Sequence, residues 1–188
     1  TNNDGSLTPE DRVALGTPYP DFTWGITNTF QIKDFDISFL IQGVQGITVL
    51  NGDVYYNETK KWNKKYTKNR WVSAEHPGDG KTPYQNVKTG HDLMLTDYPL
   101  QNASYACLRN FTVGYTLPAT AARKIKLSGV RFYVSGSNLL YIWGSGYKGI
   151  NPESRMTSGN YSSAMISGYQ RGGFPLTSSI SAGFDINF

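Results

Sequence analysis

One cysteine, Cys107, stands among 188 residues, so no internal disulfide framework can staple this chain. Charge is scarce as well: 17% of residues are Asp, Glu, Lys or Arg, against about a quarter in soluble domains. No stretch approaches the roughly 18 apolar residues that a transmembrane helix needs, so residence in a membrane must come from strands or not at all. With two histidines, His76 and His91, a metal or catalytic set built with Glu75 and Asp92 lacks any ligand spacing. No acid–base pair, nucleophile elbow or cofactor loop stands out, and an enzyme is not expected. The chain also lacks an opening Met and a leader of basic, apolar and small regions. Thr1 opens in mid-loop, and the chain reads as a processed or cut C-terminal piece.

Aromatics, by contrast, are plentiful: 13 Tyr, 9 Phe and 4 Trp, alongside 20 Gly. The last segment, 175–188, alternates, with Leu176, Ile180, Ala182, Phe184, Ile186 and Phe188 on one side. Thr177, Ser179, Ser181, Gly183, Asp185 and Asn187 fall on the other. A period of two means a strand with an apolar and a polar face. Ending on the pattern's final aromatic suits an outer-membrane barrel, whose girdles place aromatics at the interfaces. From Asp21 the same alternation runs through Phe22, Trp24, Ile26, Phe30 and Ile32, with Asn28 the one polar residue on the apolar side. After a tight turn at Lys33-Asp34, Phe35, Ile37, Phe39 and Ile41 alternate with Asp36, Ser38, Leu40 and Gln42. This hairpin has the length that crosses a bilayer. Further strands are expected at 105–117 and 130–142. Arg109 shares a register with Phe111, Val113 and Tyr115, which demands an interface position or a bulge.

The connections run short, long, medium, long, with a plausible helix at 57–70. Barrels of this kind alternate short periplasmic turns with long external loops. The expected assignment places Lys33-Asp34 and 118–128 in the periplasm and 1–20, 47–102 and 143–174 outside. Five strands cannot close a barrel, for which about eight is the smallest useful number. Open edges are forbidden in lipid, so the remainder of the cylinder must come from other strands, the missing N-terminal part of the same polypeptide being the natural source.

Several motifs are weaker. Asn2, Asp4, Ser6 and Asp11, around Gly5, have the alternating oxygen ligands of a calcium loop; an Asx-type turn holding no metal explains the same residues. Lys60, Lys61, Lys64, Lys65, Lys68 and Arg70, interleaved with Trp62, Tyr66 and Trp71, could grip an acidic ligand, though a solvated helix face is the plainer reading. Gly78-Asp79-Gly80-Lys81-Thr82 mimics the end of a phosphate-binding loop, but Glu75 stands where the first glycine belongs. The sequons at Asn57, Asn102, Asn110 and Asn160 arise easily in a chain rich in Asn, Ser and Thr. Nucleic acid is not an expected partner.

Taken in order, several blocks resemble the C-terminal end of the SusC/RagA family of TonB-dependent outer-membrane transporters of Bacteroidetes. They are Asp4-Gly5 with Asp11-Arg12 and Leu15-Gly16; Pro20-Asp21-Phe22 with Gly25; and Phe35-Asp36-Ile37 with Gln42-Gly43 and Gly46. Next come Ser104-Tyr105 with Leu108-Arg109-Asn110-Phe111-Thr112-Val113-Gly114-Tyr115-Thr116-Leu117-Pro118, where Ala106-Cys107 replaces the usual Leu-Arg. Val130-Arg131-Phe132-Tyr133-Val134-Ser135-Gly136-Ser137-Asn138-Leu139-Leu140 and Tyr147-Lys148-Gly149-Ile150-Asn151-Pro152-Glu153 complete the series. The resemblance is least marked over 47–100.

That resemblance implies an all-β fold, the last five antiparallel strands of a barrel of about 22 strands, filled by an N-terminal plug. It implies import of glycans or peptides, a SusD-like surface lipoprotein as lid, and energy from TonB acting on the plug, which lies outside this chain. For substrate contact the external aromatics Trp143, Tyr147, Tyr161, Tyr169, Trp62 and Tyr66 qualify by chemistry, since rings stack on sugar faces. Loop packing or lipoprotein contact accounts for each equally well. The rival readings are a secreted β-sandwich carbohydrate-binding module, whose apolar faces would be enclosed, and an adhesin barrel without a plug.

Overall fold

The computed structural model describes residues 5, 8–52, 68–82, 84, 96–154, 168–170 and 173–188. In chain order the strands are β1 (Phe22–Ile32), β2 (Phe35–Gln45), β3 (Thr48–Asn51), β4 (Leu100–Asn102), β5 (Tyr105–Thr116), β6 (Gly129–Trp143), β7 (Tyr169–Gln170) and β8 (Ser179–Asn187). A 3₁₀ turn spans Pro9–Asp11, and a short helix, α1 (Ala119–Lys124), joins β5 to β6. Five strands make one antiparallel sheet in the order β1-β2-β5-β6-β8, and the other three make a small sheet, β4-β3-β7.

The hairpin β1–β2 pairs Ile32 with Phe35 across Lys33 and Asp34. Lys33 takes φ +54°, the left-handed region that a primed two-residue hairpin turn requires at its first position. Eleven residues per strand match the ~9–11 of a tilted membrane-spanning strand.

Register decides which side chains share a face. One row runs Ile32, Phe35, Tyr115, Phe132, Phe184; the next runs Phe30, Ile37, Val113, Val134, Ala182. Phe35 and Tyr115 have ring centroids 4.8 Å apart, and with Phe132 and Phe184 they form an aromatic belt at the short-turn end. Nothing in the described chain covers this face: Ile26, Phe132, Ile180 and Phe184 are each more than half exposed. Each such side chain left in water forgoes about 1.5–3 kcal/mol of burial, and an unbroken apolar sheet face of this extent must meet another apolar phase. The β-sandwich reading therefore fails, because no second layer packs there among the described residues. The apolar face is the lipid side of a barrel wall.

Two departures from simple alternation have local causes. In β5 the register with β2 jumps from Leu40↔Asn110 to Ile41↔Leu108, leaving Arg109 as an extra residue. This bulge turns Arg109 from the apolar side, where alternation places it, to the polar side, where its guanidinium finds its partners. At the same level Asn138 of β6 takes φ +54°. There Asn138 Nδ2 donates to the Thr177 carbonyl, and Ser178 Oγ donates to the Asn138 carbonyl. Ladder pairing of β8 begins only at Ser179, opposite Ser137, so the last strand is shorter than the expected 175–188.

The long connections 47–102 and 143–174, expected to lie outside the membrane, are not without sheet structure. Both contribute strands to the small sheet, where β3 pairs antiparallel with β4 and parallel with β7. Ile47, Val49, Ala103 and Tyr147 form its core, with Val44 of β2 packed against them. Too short and too rich in flanking Gly and Asn to show a period, these strands are held by partners distant in sequence. Of the expected helix at 57–70 only residues 68–70 are described, with 68–69 helical.

Candidate functional site

The polar face of the large sheet carries two tiers of paired charge. Nearer the short turns, Arg131 of β6 makes a two-pronged contact with Asp36 of β2, Nε to Oδ1 at 2.9 Å and Nη2 to Oδ2 at 2.6 Å. Strand β5 lies between these residues. Gly114 opposes Asp36 there, and a Cβ at Gly114 would collide with both Asp36 and Arg131. Arg131 also donates through Nη1 to Asp185 of β8 at 3.2 Å, and its guanidinium lies 5.2 Å from the Tyr133 ring centre. One side chain thus ties three strands across a fourth.

The upper tier centres on Arg109. Its Nη2 donates to Glu153 Oε1 at 2.6 Å, while Nη1 donates to Asn138 Oδ1 at 2.7 Å and to the Tyr141 hydroxyl at 2.9 Å. Tyr141 in turn donates to Glu153 Oε1 at 2.7 Å. With its amide turned so that oxygen faces the guanidinium, Gln42 accepts from Arg109 Nε and Nη2 at 3.0 and 2.6 Å. Charge-assisted bonds of this kind are about twice as strong as neutral ones.

Beyond the upper tier, at the end bearing the long connections, a polar cleft of about 640 Å³ opens between 68–82, 96–102 and 145–148. Lys81, Thr82, Asp97, Tyr98, Asn102 and Lys148 are among its lining residues. The Lys148 ammonium sits 5.5 Å from the Tyr98 ring centre. Asp79 shapes the rim, accepting from the Thr82 amide at 2.7 Å, the Lys81 amide at 2.9 Å and the Thr82 hydroxyl at 2.9 Å. Those bonds, the Thr82 amide foremost, hold its carboxyl below the ordinary value of 3.8.

The aromatics singled out in sequence fare differently. Tyr147 is 8% exposed, and its hydroxyl donates to Gln170 Oε1 at 2.8 Å. It is a core residue of the small sheet. Trp143, 44% exposed, ends β6 between Tyr141 and Tyr147, with centroids 6.5 and 6.1 Å away. Tyr169 is half-buried with its hydroxyl over Gly52, where no Cβ would fit. Trp62, Tyr66 and Tyr161 lie outside the described residues, as do Asn2, Asp4 and Ser6. Asp11 caps the 3₁₀ turn, accepting from the Thr8 amide at 2.9 Å. Among the described residues no three His, Cys, Asp or Glu side chains gather around one point. His76 sits in a tight turn with Ser73, and His91 and Asp92 are outside the description. What sequence reading missed are the pairs Arg109–Glu153 and Arg131–Asp36 and the cleft residues Tyr98 and Lys148; the misplaced Arg109 was the available signal.

An amphipathic antiparallel sheet with lipid outside and paired charge inside defines a segment of a transmembrane β-barrel wall. Comparison with known proteins makes this more particular. No protein-family model matches the chain. It is 29% identical to TonB-dependent receptor P26 of Formosa agariphila across the whole chain and 19% of that protein. It is 29% identical to TonB-dependent receptor P3 of the same organism, again across the whole chain and 18% of that protein. TonB-dependent receptor SusC of Bacteroides thetaiotaomicron is 27% identical over 81% of this chain and 15% of its own length. Among solved structures, the RagAB peptide importer in its closed-closed state matches 93% of this chain and 18% of its own, with TM-score 0.66 and 21% identity. Its open-open state gives TM-score 0.63 at 22% identity over 90% of this chain. The chain thus spans about a fifth of the length of the relatives it matches. Over nearly its whole length the chain is similar to a barrel segment of TonB-dependent receptors of the SusC kind, and its five-stranded sheet has the fold of an outer-membrane β-barrel wall.

Proposed function

We propose that this segment serves as the last five strands of a nutrient importer that carries glycans or peptides across the outer membrane. In this reading 1–20, 47–102 and 143–174 face outward beneath a SusD-like lipoprotein lid, and Lys33-Asp34 and 118–128 face the periplasm. TonB drives transport through a plug that belongs to the rest of the receptor. The observation that carries the reading is the two-faced sheet, its inner side lined by tied charges and opening at one end on a polar cleft. Such a wall does no bond chemistry; it offers donors and acceptors to a hydrophilic solute while excluding lipid. Calcium, bound through Asn2, Asp4, Ser6 and Asp11, would stabilise the outer 1–20 segment; the alternating oxygen chemistry of those residues supports it.

The test is uptake of labelled oligosaccharides and oligopeptides by intact cells, with the receptor deleted or TonB deleted. Loss of uptake of one class in both strains is the expected result. Unchanged uptake of both classes would refute the importer reading. An accessibility tag near Glu75 should react on intact cells and one near Arg123 should not; the reverse pattern overturns the orientation.

A further inference from the structure

We propose that residues 144–154 form a strap that folds back over the inner wall and narrows the barrel mouth, latched there by the Arg109–Glu153 ion pair. The inference rests on the importer reading for its consequence, though not for its geometry.

The chain leaves β6 at Trp143, on the mouth side, and by Glu153 has returned to the level of Tyr141 and Asn138 on the polar face. The strap is stiff within itself. The Glu153 amide donates to Asn151 Oδ1 at 2.9 Å and the Ser154 amide to the Asn151 carbonyl at 3.1 Å. Gln170 braces its outer portion, accepting from the Tyr147 hydroxyl and donating to the Ser154 carbonyl at 2.7 Å. These bonds tie the strap to the mouth. The strap's start is tied down by the Gly144 amide donating to the Ser104 carbonyl at 2.7 Å and by Tyr147 in the small-sheet core, while its far end meets the wall through the Glu153 carboxylate, which takes both Arg109 and Tyr141.

The wall is shaped to receive it. The bulge in β5 rotates Arg109 inward, and Asn138 adopts a left-handed backbone beside it. Both are local distortions that a plain barrel strand has no need of, and both meet at the Arg109 guanidinium, which holds Glu153. Side-chain exposures of 21% for Arg109 and 27% for Glu153 leave the pair shielded enough to hold and open enough to exchange partners with a polar solute or a moving neighbour. With its start anchored at Ser104, Gln101 and the small-sheet core, the strap's far end around Glu153 has two discrete positions on the wall, docked and released, which is what a gate requires.

The experiment uses the full receptor with its partner chain in membrane nanodiscs, comparing wild type, Glu153→Gln, Tyr141→Phe and the reversed pair Arg109→Glu/Glu153→Arg. Hydrogen exchange of peptides covering 144–154 should quicken about tenfold in Glu153→Gln, as expected for loss of a charge-assisted bond. Tyr141→Phe should give a smaller rise and the reversed pair should restore protection, with β5 and β6 amides unchanged throughout. Protection of 144–154 that is indifferent to Glu153→Gln overturns the latch. Heat-modifiable gel migration identifies any variant that fails to fold, and Tyr141→Phe then carries the test. In cells, Glu153→Gln should change the rate of solute uptake more than its binding; released exchange with unaltered uptake would make the strap passive and end the gate proposal. Absence of any uptake in wild type would instead count against the importer reading and leave the exchange result standing.

Discussion

Asp79 illustrates how one carboxylate organises the mouth and how its effect depends on pH. Its carboxyl is held low by the amides of Thr82 and Lys81, so the folded turn favours the ionised form. A depressed folded pKa gives stabilisation that is complete above the unfolded value, near 3.9, and is lost as pH falls through the lower folded value. Protection of the Thr82 amide should therefore hold at neutral pH and decay only as pH falls below the ordinary carboxylate value, followed by amide exchange or NMR. Asp79→Asn should remove that pH dependence; a Thr82 amide equally protected throughout in both proteins would contradict the assignment. Asp79 was visible in the sequence only as part of a false phosphate-loop match. Its turn role could not be read because the amides it binds are a property of backbone geometry. Arg109 was half legible: alternation made it an anomaly and named a bulge as one solution, but Glu153 lies 44 residues on, in a segment with no periodic signal.

For the strands, legibility followed length. The five long ones announced themselves by alternation, because a face against lipid and a face against polar surroundings impose a strict period of two. Strands β3, β4 and β7, with four, three and two residues, were invisible for want of any period. The two-faced character can be tested on adjacent residues of β8. Ile180, near the start of β8, pairs on the lipid side with Gly136 at the middle of β6, and Ser181 pairs with Ser135 on the polar side. In the assembled receptor Ile180→Lys should cost about 2–4 kcal/mol, the range for a lysine near the bilayer midplane, and Ser181→Lys little. Urea titration of the receptor folded in liposomes measures both. Equal costs at the two positions would mean that the face exposed at Ile180 meets protein or water.

At the scale of the molecule, the open edges of β1 and β8 make the sheet an arc of a larger cylinder, as relatives several times its length also indicate. The composition and hairpin pattern were enough to foresee this arc. The small sheet that crowns it was not foreseen, because it joins parts of the chain far apart in sequence. That crown has a bearing on biogenesis. Leu50 pairs with Tyr169, and the Leu50 amide donates to the Gly168 carbonyl at 2.8 Å. Contacts so remote must await closure of a long loop, whereas β1–β2 closes over two residues. Pulse-labelling during refolding should find the Ile37 amide shielded well before that of Leu50, and simultaneous shielding would contradict this order. Hairpins can then thread the bilayer while the small sheet is still unzipped, and the parallel β3–β7 stitch fastens only once the cylinder beside it is sound.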